Sequence, residues 1–166
     1  TVYRNEKLLP KAFFVDSLVT VSTPNEAFDF VEQPNVDYSS IAVVETTEAL
    51  STSSDSTSKA EVTEYTGAEM TLALNRSKPG FLVLSEIYYP AGWVATLNGN
   101  EIPIYKTNFV LRGLEIPAGD HILKLEFKPK SYSIGVTLSW VSLGLQTLIA
   151  LLFGLNYFKR KKLGES

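Results

Sequence analysis

The sequence lacks cysteine altogether and has one histidine and one methionine among its 166 residues. Without cysteine, the chain cannot form a disulfide framework, a cysteine-ligated zinc or iron–sulfur site, or a thiol nucleophile. His121 is the single histidine, so histidine-rich metal sites are excluded and a Ser-His-Asp triad has one possible base. Basic residues number 15 against 18 acidic ones, for a net charge of -3, which argues against nucleic-acid binding. The composition therefore predicts no metal, no cofactor and no nucleic-acid partner.

Charge is also missing from one long stretch, residues 131–158. As a helix rising about 1.5 Å per residue, this run is long enough to cross a hydrocarbon core of about 30 Å. A buried helix of a soluble protein is the alternative, but such helices rarely run this far without a charge. We predict a transmembrane helix over 131–158. Its small residues Gly135, Ser139 and Ser142 and its polar Gln146 favour packing against other membrane helices.

The residues after this run indicate its orientation. Four cations follow directly: Lys159, Arg160, Lys161 and Lys162. Such clusters mark the cytoplasmic end of a span. We therefore predict that residues 159–166 form a basic cytoplasmic tail, that residues 1–130 are extracytoplasmic, and that membrane lipid is a partner. Binding of the tail to anionic lipid is a competing explanation, but the anchor accounts for its charge.

A domain that precedes its only membrane span needs a signal peptide or an earlier span to leave the cytoplasm. Residues 1–30 show neither, because their most apolar stretch, Ala12 to Val15, is followed at once by Asp16. Two interpretations stay open. The sequence is either a mature chain after signal removal or the C-terminal piece of a larger membrane protein.

The first third of the chain predicts one short helix and one loop. Thr23 is a typical N-cap, Pro24 suits the first helical position and Glu26 completes a capping box, so a helix should run to about Glu32. Residues 46–59 are rich in serine and threonine and have little to bury, which predicts a flexible loop.

Strand-like runs separated by turn signals fill the rest of residues 1–130. The predicted strands are Ala12–Val15, Leu18–Val21, Ile41–Val44, Glu61–Thr66, Glu69–Asn75, Phe81–Tyr88, Trp93–Leu97, Glu101–Tyr105, Phe109–Ile116 and His121–Phe127. Asn98-Gly99-Asn100 is a strong hairpin signal. The pattern predicts a mainly β fold: an antiparallel β-sandwich or jelly-roll-like domain with one short N-terminal α-helix, followed by the transmembrane helix. Its predicted core comprises Leu72, Leu74, Leu82, Leu84, Val94, Leu97, Val110, Leu123, Leu125 and Phe127.

One cluster of aromatic and polar residues is a candidate ligand surface. It comprises Glu86, Tyr88, Tyr89, Trp93 and Asn98, with Tyr105 nearby. Sugars stack on aromatic rings while carboxylate and amide groups bond their hydroxyls, so a glycan contact is the functional interpretation. The structural alternative is that Tyr88, Trp93 and Tyr105 pack inside the sandwich and that Tyr89 shapes a turn.

No residues single themselves out for catalysis. Glycoside chemistry needs two carboxylates about 5 to 9 Å apart, and the scattered glutamates show no spacing that selects a pair. His121, beside a Gly119-Asp120 turn, fits a strand-edge role better than that of a general base. We predict no catalytic residue in this chain.

Several motifs occur in a fixed order along the chain. They are Leu9-Pro10-Lys11-Ala12-Phe13-Phe14-Val15, Pro79-Gly80-Phe81-Leu82-Val83-Leu84-Ser85-Glu86-Ile87-Tyr88-Tyr89-Pro90, Gly92-Trp93, Asn98-Gly99-Asn100-Glu101, and Pro117-Ala118-Gly119-Asp120-His121 followed by Phe127-Lys128-Pro129-Lys130-Ser131. Together they resemble the YfhO-like family of bacterial polytopic membrane proteins. Ala91 departs from the family pattern, which we interpret as a variant of turn length.

This resemblance implies a function for a longer parent protein, of which this chain would be the C-terminal piece, rather than for the chain by itself. Members of the family look like multi-spanning glycosyltransferases that use lipid-linked sugars and act on cell-envelope polymers. Their catalytic carboxylates lie in early extracytoplasmic loops, which have no counterpart here. The resemblance thus implies a non-catalytic accessory domain plus the last membrane helix, with other helices of the parent and envelope glycan or lipid-linked sugar as partners. The alternative is a single-pass, membrane-anchored β-sandwich that acts as a binding module at the cell surface.

Overall fold

A computed structural model describes residues 8–163 of the chain, including all side chains except those of Lys130 and residues 155–163. The chain divides after Phe127 into two compact units. The first contains β1 (Ala12–Val15), β2 (Ser17–Val21), α1 (Pro24–Val31), β3 (Ile41–Glu45), β4 (Lys59–Tyr65), β5 (Glu69–Arg76), β6 (Gly80–Ile87), β7 (Trp93–Leu97), β8 (Asn100–Ile102), β9 (Tyr105–Thr107), β10 (Leu111–Ile116) and β11 (Gly119–Phe127), and the second contains α2 (Lys130–Leu163).

Within the described residues, the strands form two sheets. One has the order β1-β6-β10-β9-β3-β2 and the other the order β4-β5-β11-β7-β8. Neighbouring strands are antiparallel except β2 and β3, which run parallel because α1 connects them as a crossover. The predicted fold class, mainly β with an early short helix and an apolar C-terminal helix, is confirmed.

The main core lies between the two sheets. Inward residues such as Leu82 and Leu114 of the six-stranded sheet meet Leu72 and Leu123 of the five-stranded one. Most of the predicted core is correct, since the buried residues include Leu72, Leu74, Leu82, Leu84, Leu97, Leu123 and Leu125.

Three predicted core residues are placed differently. Val94 is half-buried because Ala95 and Leu97 take the inward positions of β7, and the pleat turns Val94 to the other face. Val110 is 47% exposed because it lies before β10, after two residues with left-handed backbone, Asn108 and Phe109. Phe127 is 38% exposed because it ends β11 at the rim of the sheet.

A second core covers the opposite face of the six-stranded sheet. Val15, Ala42, Val44, Phe81 and Val83 are buried there. The central strand β6 is therefore buried on both faces, which explains its unbroken apolar run.

The serine- and threonine-rich segment borders this second core, where Leu50 packs against it. No strand or helix forms over the described residues 46–58. Thr52 Oγ1 donates to the Val15 carbonyl at 2.8 Å and accepts from the Phe81 amide at 3.2 Å. The Ser77 amide donates to Asp55 at 2.8 Å. These bonds tie the segment to the sandwich, and its flexibility stays a prediction.

Local turn chemistry follows the sequence closely at two places. The capping box of α1 is present, with the Glu26 amide donating to Thr23 Oγ1 at 3.3 Å and the Glu26 carboxylate accepting from the Thr23 amide. In the hairpin between β7 and β8, Asn98 and Gly99 have φ values of +50° and +86°, as a two-residue turn requires.

The predicted strand Glu101–Tyr105 is wrong. β8 ends at Ile102, the chain crosses between the sheets at Pro103 and Ile104, and β9 begins at Tyr105 in the other sheet. Pro103 has no amide hydrogen to donate to a ladder, so β8 of the five-stranded sheet ends before it.

β3 and β9 are joined by short backbone pairing together with hydrogen bonds of one residue, Asn108. The ladder contains one residue pair, Val44 with Thr107. Beside it, Asn108 acts like an additional strand residue. Its Oδ1 accepts from the Val43 amide at 2.9 Å and its own amide donates to the Val43 carbonyl at 2.8 Å.

The second unit is the long helix α2. Its apolar stretch Ser131–Gly154 has 24 residues, about 36 Å of helix, and meets the length and composition of a membrane span. The hydroxyls of Thr137, Ser139 and Thr147 donate to carbonyls four residues earlier at 2.8–2.9 Å, which satisfies them in an apolar medium. α2 continues through the four predicted topology residues, Lys159 to Lys162, whose side chains lie outside the described part, as do residues 164–166 of the predicted tail.

Candidate ligand-binding site

Three of the five predicted site residues line one cavity at the edge of the sandwich. This cavity, which we call the Trp93 pocket, has a volume of about 160 Å³. It is lined by Tyr88, Tyr89, Pro90, Trp93, Val94, Ala95, Glu101, Ile102, Pro103, Ile104 and Arg112.

Two chain crossings between the sheets create the pocket. Tyr88 to Gly92 connect β6 to β7, and Gly92 has a φ of +133°, which favours glycine. Pro103 and Ile104 connect β8 back to β9. The tyrosines and Trp93 come together because they are near neighbours in the first crossing.

Arg112 is the residue that the sequence analysis missed. It shares the inward face of β10 with Leu114 and Ile116, yet it is charged and 4% exposed. Its guanidinium lies 4.0 Å from the centre of the Trp93 ring, and its Nε donates to the Ile87 carbonyl at 2.9 Å. Burial lowers the pKa of Arg112 and the Glu86 carboxylate opposes that shift. The available signal was an arginine in phase with two apolar residues of one strand.

The aromatic residues divide between packing and exposure. The Trp93 ring packs against Phe127, with 5.4 Å between ring centres, and the Arg112 guanidinium stacks on it. Part of the Trp93 ring is therefore already in contact with other side chains of the protein. Tyr89 lies 6.3 Å from Phe127 and is 53% exposed. A sugar ring could stack on Tyr89 while polar groups of the pocket bond its hydroxyls.

Glu86 lies outside the pocket lining. Its carboxylate accepts from Lys11 Nζ at 2.7 Å and from the Tyr65 hydroxyl at 3.0 Å. Burial by itself would raise the pKa of Glu86, but these hydrogen bonds and the neighbouring cations lower it overall. Glu86 is thus a charged neighbour of Arg112 rather than part of the cavity wall.

Asn98 lies at the opposite end of β7 from Trp93. Its Oδ1 accepts from the Ile122 amide at 2.8 Å, and its Nδ2 is 2.8 Å from His121 Nδ1. His121 Nε2 is 3.2 Å from the Ala118 carbonyl, so Nε2 donates and Nδ1 accepts in the neutral ring. Asn98 and His121 also line a second cavity of about 300 Å³ on the five-stranded sheet.

Tyr105 does not belong to the pocket. Its ring packs 6.2 Å from that of Phe81 in the second core, and its hydroxyl donates to Glu48 at 2.7 Å. Burial, together with this hydrogen bond, raises the pKa of Tyr105 to about 12. Tyr105 thus packs against the second core, on the face of the six-stranded sheet that is turned away from the main core.

Residues 27–139, from α1 into α2, match the family described as bacterial membrane protein YfhO. The chain belongs to the YfhO family. The resemblance seen in the sequence motifs is thereby confirmed, and the family together with the apolar helix indicates a membrane location. The matched segment contains every residue that lines the Trp93 pocket.

One curated relative shows how the chain compares in length. The uncharacterized protein YfhO of Bacillus subtilis (strain 168) is 28% identical over 109 residues, which are 66% of this chain and 12% of that protein. The aligned part of the chain thus covers about one eighth of the length of this relative. No solved structure matches the chain.

Proposed function

We propose that the chain is the C-terminal part of a polytopic envelope protein resembling a glycosyltransferase. Residues 1–130 would be a non-catalytic, extracytoplasmic accessory domain, 131–158 the last membrane helix and 159–166 the cytoplasmic tail. The observation that carries this proposal is an apolar helix of membrane-spanning length in a chain that matches 12% of a YfhO relative. The four cations after the helix support the orientation.

Within this proposal, the accessory domain shapes the active site of the parent or holds its acceptor glycan through the Trp93 pocket. Tyr88, Tyr89 and Trp93 are the proposed contacts, because they line the pocket and Tyr89 is exposed. Glu86 contributes through its charge beside Arg112. Asn98, predicted as a further contact, lies outside the pocket at the other end of β7 and is not among the contacts proposed here.

The size of the native protein tests the proposal. An antibody against residues 1–130 is applied to membranes of the source organism after denaturing electrophoresis. We expect a band several times larger than 18.4 kDa. A band near 18.4 kDa would instead support the alternative, a single-pass membrane-anchored β-sandwich that acts as a binding or interaction module at the cell surface.

A glycan-binding assay tests the pocket separately. Replacing Tyr89 by alanine should weaken binding of envelope glycan, because the exposed ring is lost while the core is untouched. Phe28→Ala is the control, since Phe28 is also an exposed aromatic residue, at 42%, but lies on α1 and outside the pocket. Equal binding by both variants and the unmodified chain would remove the glycan contact from the proposal.

A further inference from the structure

Two arginines are buried at opposite ends of the sandwich core. Arg76 continues the inward row of Leu72 and Leu74 in β5 and is 3% exposed. Arg112 is 4% exposed. The ladder of β11 separates them, because Arg76 pairs with Gly119 at its start and Trp93, which stacks on Arg112, pairs with Phe127 at its end.

Arg76 has its hydrogen bonds provided by the protein. Its Nε donates to the Lys78 carbonyl at 2.9 Å, its Nη2 donates to the Ser53 carbonyl, and its guanidinium lies 4.3 Å from the Phe14 ring centre. Its role is therefore accounted for by the fold.

Arg112 has only part of this support. Apart from the bond from Nε to Ile87, none of the described residues accepts a hydrogen bond from its guanidinium. The Tyr88 and Tyr89 hydroxyls and the Trp93 indole nitrogen, on the same pocket, are likewise without a hydrogen-bond partner in the described part of the chain. A buried cation with one acceptor in the described part of the chain thus lines the same cavity as three residues that carry further donors.

We propose that Arg112 binds the oxyanion group, carboxylate or phosphate, of a small ligand in the Trp93 pocket. The guanidinium fork matches either group with paired hydrogen bonds, and stacking on Trp93 holds it in place. The pocket lining contains two charged residues, Arg112, which is buried, and Glu101, which is exposed. A cavity of about 160 Å³ suits one sugar-sized group. The inference that this group is part of a glycan rests on the proposed function.

Fluorescence of Trp93 tests the proposal on the full chain in detergent micelles. The chain has two tryptophans, so Trp140→Phe in the apolar helix leaves Trp93 as the reporter. The probes are glucuronate, glucose 1-phosphate, inorganic phosphate and glucose. We expect at least one anionic sugar to perturb the Trp93 emission with a Kd at least tenfold below that of glucose, and the comparison of glucuronate with glucose 1-phosphate separates carboxylate from phosphate recognition.

Variants connect the binding to Arg112. Arg112→Lys keeps the charge but loses the fork, and should weaken the anionic probe at least tenfold. Arg76→Lys is the matched control at the other end of the core and should leave binding unchanged. Tyr89→Phe removes one donor from an exposed side chain that the fold does not need, and should weaken binding about tenfold even if Arg112→Lys fails to fold. Circular dichroism verifies the folding of each variant.

The outcomes separate the two proposals. Equal Kd values for glucose and the anionic sugars would overturn the role of Arg112 while leaving the glycan contact in place. Binding of inorganic phosphate alone, lost in Arg112→Lys, would support the role of Arg112 and contradict the glycan contact. No binding by any probe, or an anionic sugar bound equally well by Arg112→Lys and Tyr89→Phe, would overturn the inference.

Discussion

Gly113 in β10 lies at a position where the structure has no room for a side chain, so replacing it by alanine should destabilise the sandwich strongly. A Cβ at this position would overlap the Phe81 ring and the Thr107 hydroxyl. Both neighbours are 0% exposed, so neither can move into solvent. Overpacking a well-packed core costs about 1–3 kcal/mol, and two immobile neighbours place Gly113→Ala at the upper end, about 3 kcal/mol.

Thermal unfolding followed by circular dichroism measures this cost. For a domain of this size, about 4 °C of Tm corresponds to 1 kcal/mol, so Gly113→Ala should lower the Tm by about 12 °C. Gly67→Ala is the matched control, because nothing lies within 4 Å of a Cβ built on Gly67, and it should stay within about 0.5 kcal/mol of the unmodified chain.

A double mutant tests the cause. In a Phe81→Leu background the ring is absent. The destabilisation caused by Gly113→Ala should therefore be smaller there than in the unmodified chain, by about 1 kcal/mol or more. The reasoning is refuted if Gly113→Ala shifts the Tm by less than about 3 °C, or if its cost is the same with leucine at position 81.

Three further predictions address the helix cap, a titration and the topology. Thr23→Ala should cost about 1 kcal/mol by removing the N-cap bond of α1, measured by denaturant unfolding with Thr23→Ser as the control that retains it. Because the pKa of Tyr105 is raised to about 12 in the folded state from an ordinary value of 10.0, its contribution to stability is complete below pH 10 and is lost as the pH rises toward 12. Tyr105→Phe should therefore show a smaller loss of Tm over that range, and identical profiles would contradict the raised pKa of Tyr105. In intact cells, an impermeant maleimide should label Ser54→Cys and leave Ser166→Cys unlabelled, and the reverse pattern would invert the proposed orientation.

Features that depend on near neighbours were predictable from the sequence. The cap at Thr23 and the turn at Asn98-Gly99 form because a few adjacent residues supply both the donors and the acceptors or the required backbone freedom. Alternation of apolar residues placed Leu72 and Leu123 correctly in the core.

Features that depend on strand order were not predictable in the same way. The split at Pro103 occurs because the chain changes sheets. The apolar alternation continues through it, so the proline is the signal that the sequence offered. The second core exists because the six-stranded sheet is covered on both faces, as Phe81 and Val83 show.

The same distinction applies to the candidate site: contacts between near neighbours in the sequence were predictable, and contacts between strands of different sheets were not. Tyr88, Tyr89 and Trp93 meet because one short connection carries them. Asn98 is separated from Trp93 by the length of β7, about 17 Å at 3.3 Å per residue. Arg112 enters from β10, a strand of the other sheet, so only the tertiary arrangement brings it onto Trp93.

The short backbone pairing of β3 with β9, next to Asn108, has a consequence for how the sandwich is held together. Residues 17–45 form a strand–helix–strand block with its own parallel ladder. Its link to β9 consists of one residue pair, the two bonds between Asn108 and Val43, and the ion pair of Lys106 with Glu45 at 2.7 Å. The rest of its sheet, β1, β6, β10 and β9, is laddered without it. The block is therefore joined to the rest of its sheet largely by side-chain contacts: the Asn108 amide, the Lys106–Glu45 ion pair, and the packing of Ala42 and Val44 in the second core.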